Sequence, residues 1–172
     1  MKKVILGLIL LILIAGTLIA PASADSWQNK RAPIVFGAFP SAYEQPVLNA
    51  MGTWNTAGSN FSFYYDSSRS RFEPRSIAFY MGNTINTSSA AASTNYISNG
   101  YIVDSVITFN SSCNWTTNGS RAPDVQTVAL HELGHSAGVG HTSNSSDVMW
   151  SGALPVRRNL TTNDKNALKS LY

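Results

Sequence analysis

The string His131-Glu132-Leu133-Gly134-His135-Ser136-Ala137-Gly138-Val139-Gly140-His141 restricts what this chain can fold into more than any other stretch. On a helix, His131 and His135 lie four residues apart, one turn above each other on a single face, so both imidazoles can reach one metal ion. Gly138 can take the left-handed conformation that ends a helix and turns the chain, which lets His141 return as a third ligand. A fourth position then stays open for water, the mark of a catalytic zinc site and not of a structural one. Glu132 points to the side of this face, near enough to accept a proton from that water without being a ligand, which is the position of a general base. The five fixed residues of this pattern arise by chance in on the order of 10⁻⁵ of chains this long. The chain has 3 histidines, and all of them fall inside the string.

A helix carrying this string needs a start and a buried face. Pro123 and Asp124 supply the start, with Asp124 as N-cap, and Val125, Ala129, Leu133 and Ala137 recur every four residues to bury against a sheet. Upstream, Ile34–Phe39 reads as a first strand and Glu44–Thr56 as an amphipathic helix, with Pro46 in its first turn and Val47, Ala50, Met51 and Trp54 on one side. Phe61–Tyr65 and Ile77–Tyr80 read as short strands, and Tyr101–Phe109 as the longest β-prone run. The stretches Arg69–Arg75 and Gly82–Gly100 read as loops, and Asp25–Ala32 as a loose N-terminus.

Residues after the string resemble the matrixin branch of the metzincin metalloproteases. Thr142 follows His141, and Met149, in Ser146-Asp147-Val148-Met149-Trp150, stands where that family has the methionine of its Met-turn; Leu160–Tyr172 resembles its closing helix. The similarity is carried by residues 123–172. It implies an α+β fold of the metzincin type: a twisted mixed sheet with an active-site helix, a second packing helix and a C-terminal helix. It also implies a zinc-dependent endopeptidase with His131, His135 and His141 on the metal, Glu132 catalytic, Met149 an apolar floor, and protein or peptide as substrate. In that family the strand preceding the active-site loop is the edge above the cleft, which here would be Tyr101–Phe109; a buried central strand is the other reading of the same residues. Ser151 stands where some relatives have Tyr and matrixins have Pro, so Trp150-Ser151-Gly152 departs from the pattern in a pocket wall. Calcium is common in the family, but no compact Asp/Asn cluster names a site for it. A zinc-holding extracellular adhesin with little hydrolysis is the rival reading, and it would have no use for Glu132.

Lys2 and Lys3, the apolar run Val4–Ala20 and the small residues Ala22 and Ala24 form a signal peptide over residues 1–24, with a secreted chain starting at Asp25. An uncleaved membrane anchor is the alternative, since the run approaches bilayer-spanning length. Residues 25–172 suffice for one domain, expected to be monomeric and free of the membrane after cleavage. The formal charge is +3, of which Lys2 and Lys3 account for two, and charged residues are 12% of the chain, so nothing points to nucleic acid. Asn86, Asn110 and Asn114 stand in N-x-S/T sequons. Cys113 is the only cysteine, which excludes an intrachain disulfide; it reads as a small semi-buried thiol, lying inside the domain and not before it where the family's latency cysteine belongs.

Overall fold

The computed structural model describes residues 3–7, 26–69, 74–83 and 88–172. Residues 1–2 and 8–25, which include most of the expected signal peptide, lie outside the described residues. The described chain forms β1 (Lys3–Gly7), β2 (Ser26–Trp27), β3 (Arg31–Phe36), α1 (Ser41–Asn55), β4 (Ser62–Tyr65), β5 (Ile77–Gly82), β6 (Ala91–Ser98), β7 (Tyr101–Asn110), α2 (Val125–Ser136) and α3 (Thr162–Leu171). The strands make one sheet in the order β1-β6-β7-β5-β3-β4, with β2 pairing β7. β3, β4, β5 and β7 run parallel, and β6 is antiparallel to β7. The sheet is therefore mixed, as the α+β reading requires. α1 is the crossover that parallel neighbours β3 and β4 need.

Alternation along the strands sends one set of side chains under the helices. Ala32, Ile34, Phe63, Ile77, Phe79, Ile107 and Phe109 join Val47, Ala50 and Trp54 of α1 and Leu130 and Leu133 of α2 in one core. The Trp54 indole N–H donates to the Leu130 carbonyl at 2.7 Å, so the largest side chain of α1 fixes its contact with α2 without leaving a buried donor unpaired.

Four expectations change. The stretch Gly82–Gly100 is not all loop, because Ala91–Ser98 is a strand of small and polar residues held by eight register pairs with β7; cross-strand pairing overrides weak intrinsic propensity. β7 is internal, flanked by β5 and β6, so its reading as the edge fails and the central one stands. Among the described residues, the outer neighbour of β6 is β1, antiparallel over Ser93–Ile97. The N-terminus is docked, not loose: Trp27 is 5% exposed, and its indole N–H donates to the Ser136 carbonyl at 2.8 Å. α1 begins at Ser41, which moves Pro46 into the second turn.

Candidate metal centre

The Asp124 carboxylate caps α2 by accepting from the Thr127 amide at 3.0 Å and the Thr127 hydroxyl at 2.8 Å, satisfying a donor that the first helical turn leaves unpaired. Burial alone would raise the Asp124 pKa, but hydrogen bonds from Arg158 and Thr127 outweigh it and hold the carboxyl below its ordinary range. Arg158 grips it from Nε at 3.1 Å and Nη2 at 2.6 Å. At the other end α2 stops where the motif requires. Gly138 has φ +93°, its amide donates to the His135 carbonyl at 2.9 Å, and the Val139 amide donates back to Gly134 at 2.9 Å. The chain thereby reverses and brings His141 beside the helix.

The three histidines converge through Nε2. The separations are 3.1 Å between His131 and His135, 3.0 Å between His135 and His141, and 3.3 Å between His131 and His141. Nitrogens around a tetrahedral zinc with ordinary Zn–N bonds stand ~3.3 Å apart, so the spacing fits that ion. His131 Nδ1 faces the Val148 carbonyl at 2.7 Å and His135 Nδ1 faces the Val139 carbonyl at 2.9 Å, and only a protonated Nδ1 can donate there. Both Nε2 atoms are then bare acceptors aimed at one another, an arrangement that a shared cation satisfies. Burial lowers the His131 pKa to about 4, with the Val148 carbonyl opposing and His141 assisting. Burial likewise lowers those of His135, well below its ordinary value, and His141. All three shifts favour the neutral imidazole, the form that binds a metal. Among the described residues they are the one His/Cys/Asp/Glu group able to hold a metal ion.

Glu132 is fully buried, and neither carboxylate oxygen makes a hydrogen bond of good geometry among the described residues, the Ser93 hydroxyl being near enough only for a weak pull. Burial pushes its pKa up to about 8, against a weaker opposing pull from the Ser93 hydroxyl on β6. It faces a cavity of about 340 Å³ shared with His131, Val128, Ala91, Trp150 and Leu154. Cys113 lines the same cavity, where burial raises its thiol pKa and keeps it protonated. Sequence reasoning placed Cys113 as semi-buried and missed this location, since the loop that carries it has no periodicity. It also missed Asn95, whose amide donates to the His135 carbonyl at 2.7 Å, because β6 read as loop. The departure at Trp150-Ser151-Gly152 acquires a physical sense: the Trp150 ring lies so close over Gly152 that a Cβ there would stand 2.4 Å from it.

Met149 is buried beneath the helix. A Cβ on Gly134 would meet Met149 Sδ at 2.3 Å and the Trp54 ring at 2.8 Å, so glycine between the two helical histidines is what admits the sulfur. Asp164 of α3 holds the turn in place, accepting from the Val148 amide at 3.0 Å and the Met149 amide at 3.1 Å. Asp164 was not foreseen from the sequence. The cue available was Thr161 three residues before an acidic residue, the signature of the capping box that α3 makes.

Comparison with known proteins agrees with this geometry. Karilysin of Tannerella forsythia is 39% identical over 64 residues, which is 37% of this chain and 13% of that protein, so the chain spans a small part of this relative's length. The matrixin family profile matches residues 38–172, from just after β3 through α3, and the chain belongs to the matrixin family, whose members are zinc-dependent.

Proposed function

We propose that this chain is a secreted zinc metalloendopeptidase in which His131, His135 and His141 hold the metal and Glu132 is the catalytic base. The observation that carries the reading is a fully buried carboxyl group without a well-formed hydrogen bond, in one cavity with a histidine from a trio of converging Nε2 atoms. Zinc held there would supply a Lewis acid that activates water and polarises the scissile carbonyl. Glu132 accepts the proton of the attacking water and delivers it to the leaving amine. A carboxylate whose pKa is about 8 when buried alone becomes more acidic beside a divalent cation, which suits it to the first of these transfers. Val148 and Val139 carbonyls orient the imidazoles, and Asp164 fixes the turn that carries Val148 and Met149. The substrate would lie extended along β6, pairing through its backbone, so recognition would tolerate many sequences.

An adhesin that only holds zinc gains nothing from burying a carboxyl group without a well-formed hydrogen bond, a burial that costs stability. Export with cleavage before Asp25 is supported by Lys2, Lys3, the apolar run and the Ala22/Ala24 site. No described helix is long and apolar enough to cross a membrane. The test is to incubate the zinc-loaded chain with casein and a peptide library, with and without a chelator. Cleavage that the chelator stops and zinc restores supports the proposal. A zinc-loaded, folded chain that cuts neither substrate would return the assignment to a binding protein.

A further inference from the structure

The rings of His131 and His135 are each held from behind. Their Nδ1 atoms face the carbonyls of Val148, at 2.7 Å, and Val139, at 2.9 Å, which leaves only Nε2 to present to a metal. His141 lacks this support: among the described residues its Nδ1 makes no hydrogen bond, and it is the exposed member of the trio. Nor does the loop that carries it fix its place. Gly138 and Gly140 flank Val139, and glycines so close together leave the return from α2 adaptable. The position of His141 is therefore set from its C-terminal side.

That side is anchored at Thr142. Its amide donates to the Met149 carbonyl at 2.8 Å, in an isolated parallel bridge with Trp150, and its hydroxyl donates to Asp147 Oδ2 at 2.9 Å. Asp147 is 0% exposed, and a carboxylate so buried is costly unless donors surround it. Here they do. Oδ1 accepts from the Thr161 hydroxyl at 2.7 Å and the Asn144 side-chain amide at 3.3 Å, and Oδ2 also accepts from the Asn163 side-chain amide at 3.4 Å. Thr161 is the N-cap of α3, so this one carboxylate ties the residue after His141 to the start of that helix, across the turn that carries Met149. The cap itself does not need Asp147, because the Thr161 hydroxyl accepts from the Asp164 amide at 3.2 Å. We propose that Asp147 is a positioning residue for the metal site: through the Thr142 hydroxyl it keeps His141 in reach of the ion, as the two carbonyls do for His131 and His135. The proposal rests on the reading that the three imidazoles hold zinc, and adds what decides how tightly the third one does so.

Asp147→Ala strips several buried bonds at once, and unfolding would mask the result, so the experiment turns on Thr142. Thr142→Val removes the hydroxyl and keeps the branched shape, whereas Thr142→Ser keeps the hydroxyl. Zinc dissociation constants, measured on the folded chain against a fluorescent indicator, should weaken by about 10–100-fold in Thr142→Val and stay within about twofold of the parent in Thr142→Ser. Thr161→Val is the control for stability alone. It removes the N-cap of α3 and a different donor to Asp147, so it should unfold at lower urea while its zinc affinity stays within about twofold of the parent. With cobalt in place of zinc, the visible spectrum, which reads the geometry of the ligands, should change in Thr142→Val and match the parent in the other two. Parent-like affinity in Thr142→Val, or an equal loss in Thr161→Val, would overturn the role given to Asp147. Because binding is read without substrate, the peptidase reading fails separately: the expected order of affinities, in a parent chain that cuts no peptide, keeps the positioning role and sinks the enzyme.

Discussion

At the scale of single residues, the site separates holding a metal from using it. Glu132→Ala leaves the three imidazoles in place, so it should keep about one zinc per chain, by metal analysis, while peptidase activity falls by about 10²–10⁴-fold. His141→Ala removes one of the three imidazoles proposed to hold the metal, and competition against a coloured chelator should show zinc affinity weakened by well over tenfold. Unchanged affinity would mean that His141 does not bind the metal. Gly134 has a role that no ligand list would give it. Its missing Cβ makes room for Met149 Sδ, so Gly134→Ala should cost about 1–3 kcal/mol in urea unfolding, with the sulfur displaced from under the histidines. A variant as stable as the parent would show that Met149 moves aside freely.

Among the elements, α2 and the segment after the Met-turn are tied together by charge. Arg158 reaches from that segment to the cap of α2 and also donates to the Thr117 carbonyl at 2.9 Å. Arg157 fastens the same segment through its amide to the Thr127 hydroxyl at 2.9 Å and its guanidinium to the Asp147 carbonyl at 2.6 Å. Arg158→Ala would leave the Asp124 carboxylate buried with less compensation, at a cost of about 2 kcal/mol at neutral pH. Asp124 has its folded pKa depressed, so its contribution is present above the unfolded carboxyl value and lost as pH falls through the folded one. The stability gap between parent and variant should therefore be full at pH 7 and close below about pH 4, measured by denaturant titration across pH. A gap that persists at pH 2 would assign it to lost packing of the Arg158 stem.

Across the whole molecule, Trp27 and Tyr172, far apart along the chain, meet behind α2. Trp27 donates from its indole to Ser136 and from its amide to the Tyr172 hydroxyl at 2.9 Å, and that hydroxyl donates to the Ala137 carbonyl at 2.9 Å. Burial raises the Tyr172 pKa, which keeps the phenol protonated as the donor this chain of bonds requires. The tie acts on the last turn of α2, between His135 and the Gly138 reversal. Trp27→Ala should lower stability by about 3–5 kcal/mol in thermal or urea unfolding. It should also loosen zinc, because the histidines flank the turn that it supports. Loss of stability with zinc affinity intact would confine Trp27 to the core.

The amino-acid sequence alone determined what depends on near neighbours. The helical spacing of His131 and His135, the cap at Asp124, the positive-φ turn at Gly138 and the return of His141 all lie within eighteen residues, where local geometry leaves one arrangement. The long apolar stripes of α1 and the β-rich runs of β3, β4, β5 and β7 were legible for the same reason, to within a few residues at their ends. What the sequence could not decide was which strand is the edge, because that depends on partners far along the chain. Ala91–Ser98 opens on the small residues Ala91, Ala92 and Ser93, carries its β-prone Thr94, Tyr96 and Ile97 only toward its end, and is held as a strand by its pairing with β7. The position of Cys113 in the cavity with Glu132 and the grip of Asp164 on the turn that carries Met149 belong to the same class. Each joins segments brought together only by folding of the sheet, and contacts of that kind leave no period in a sequence.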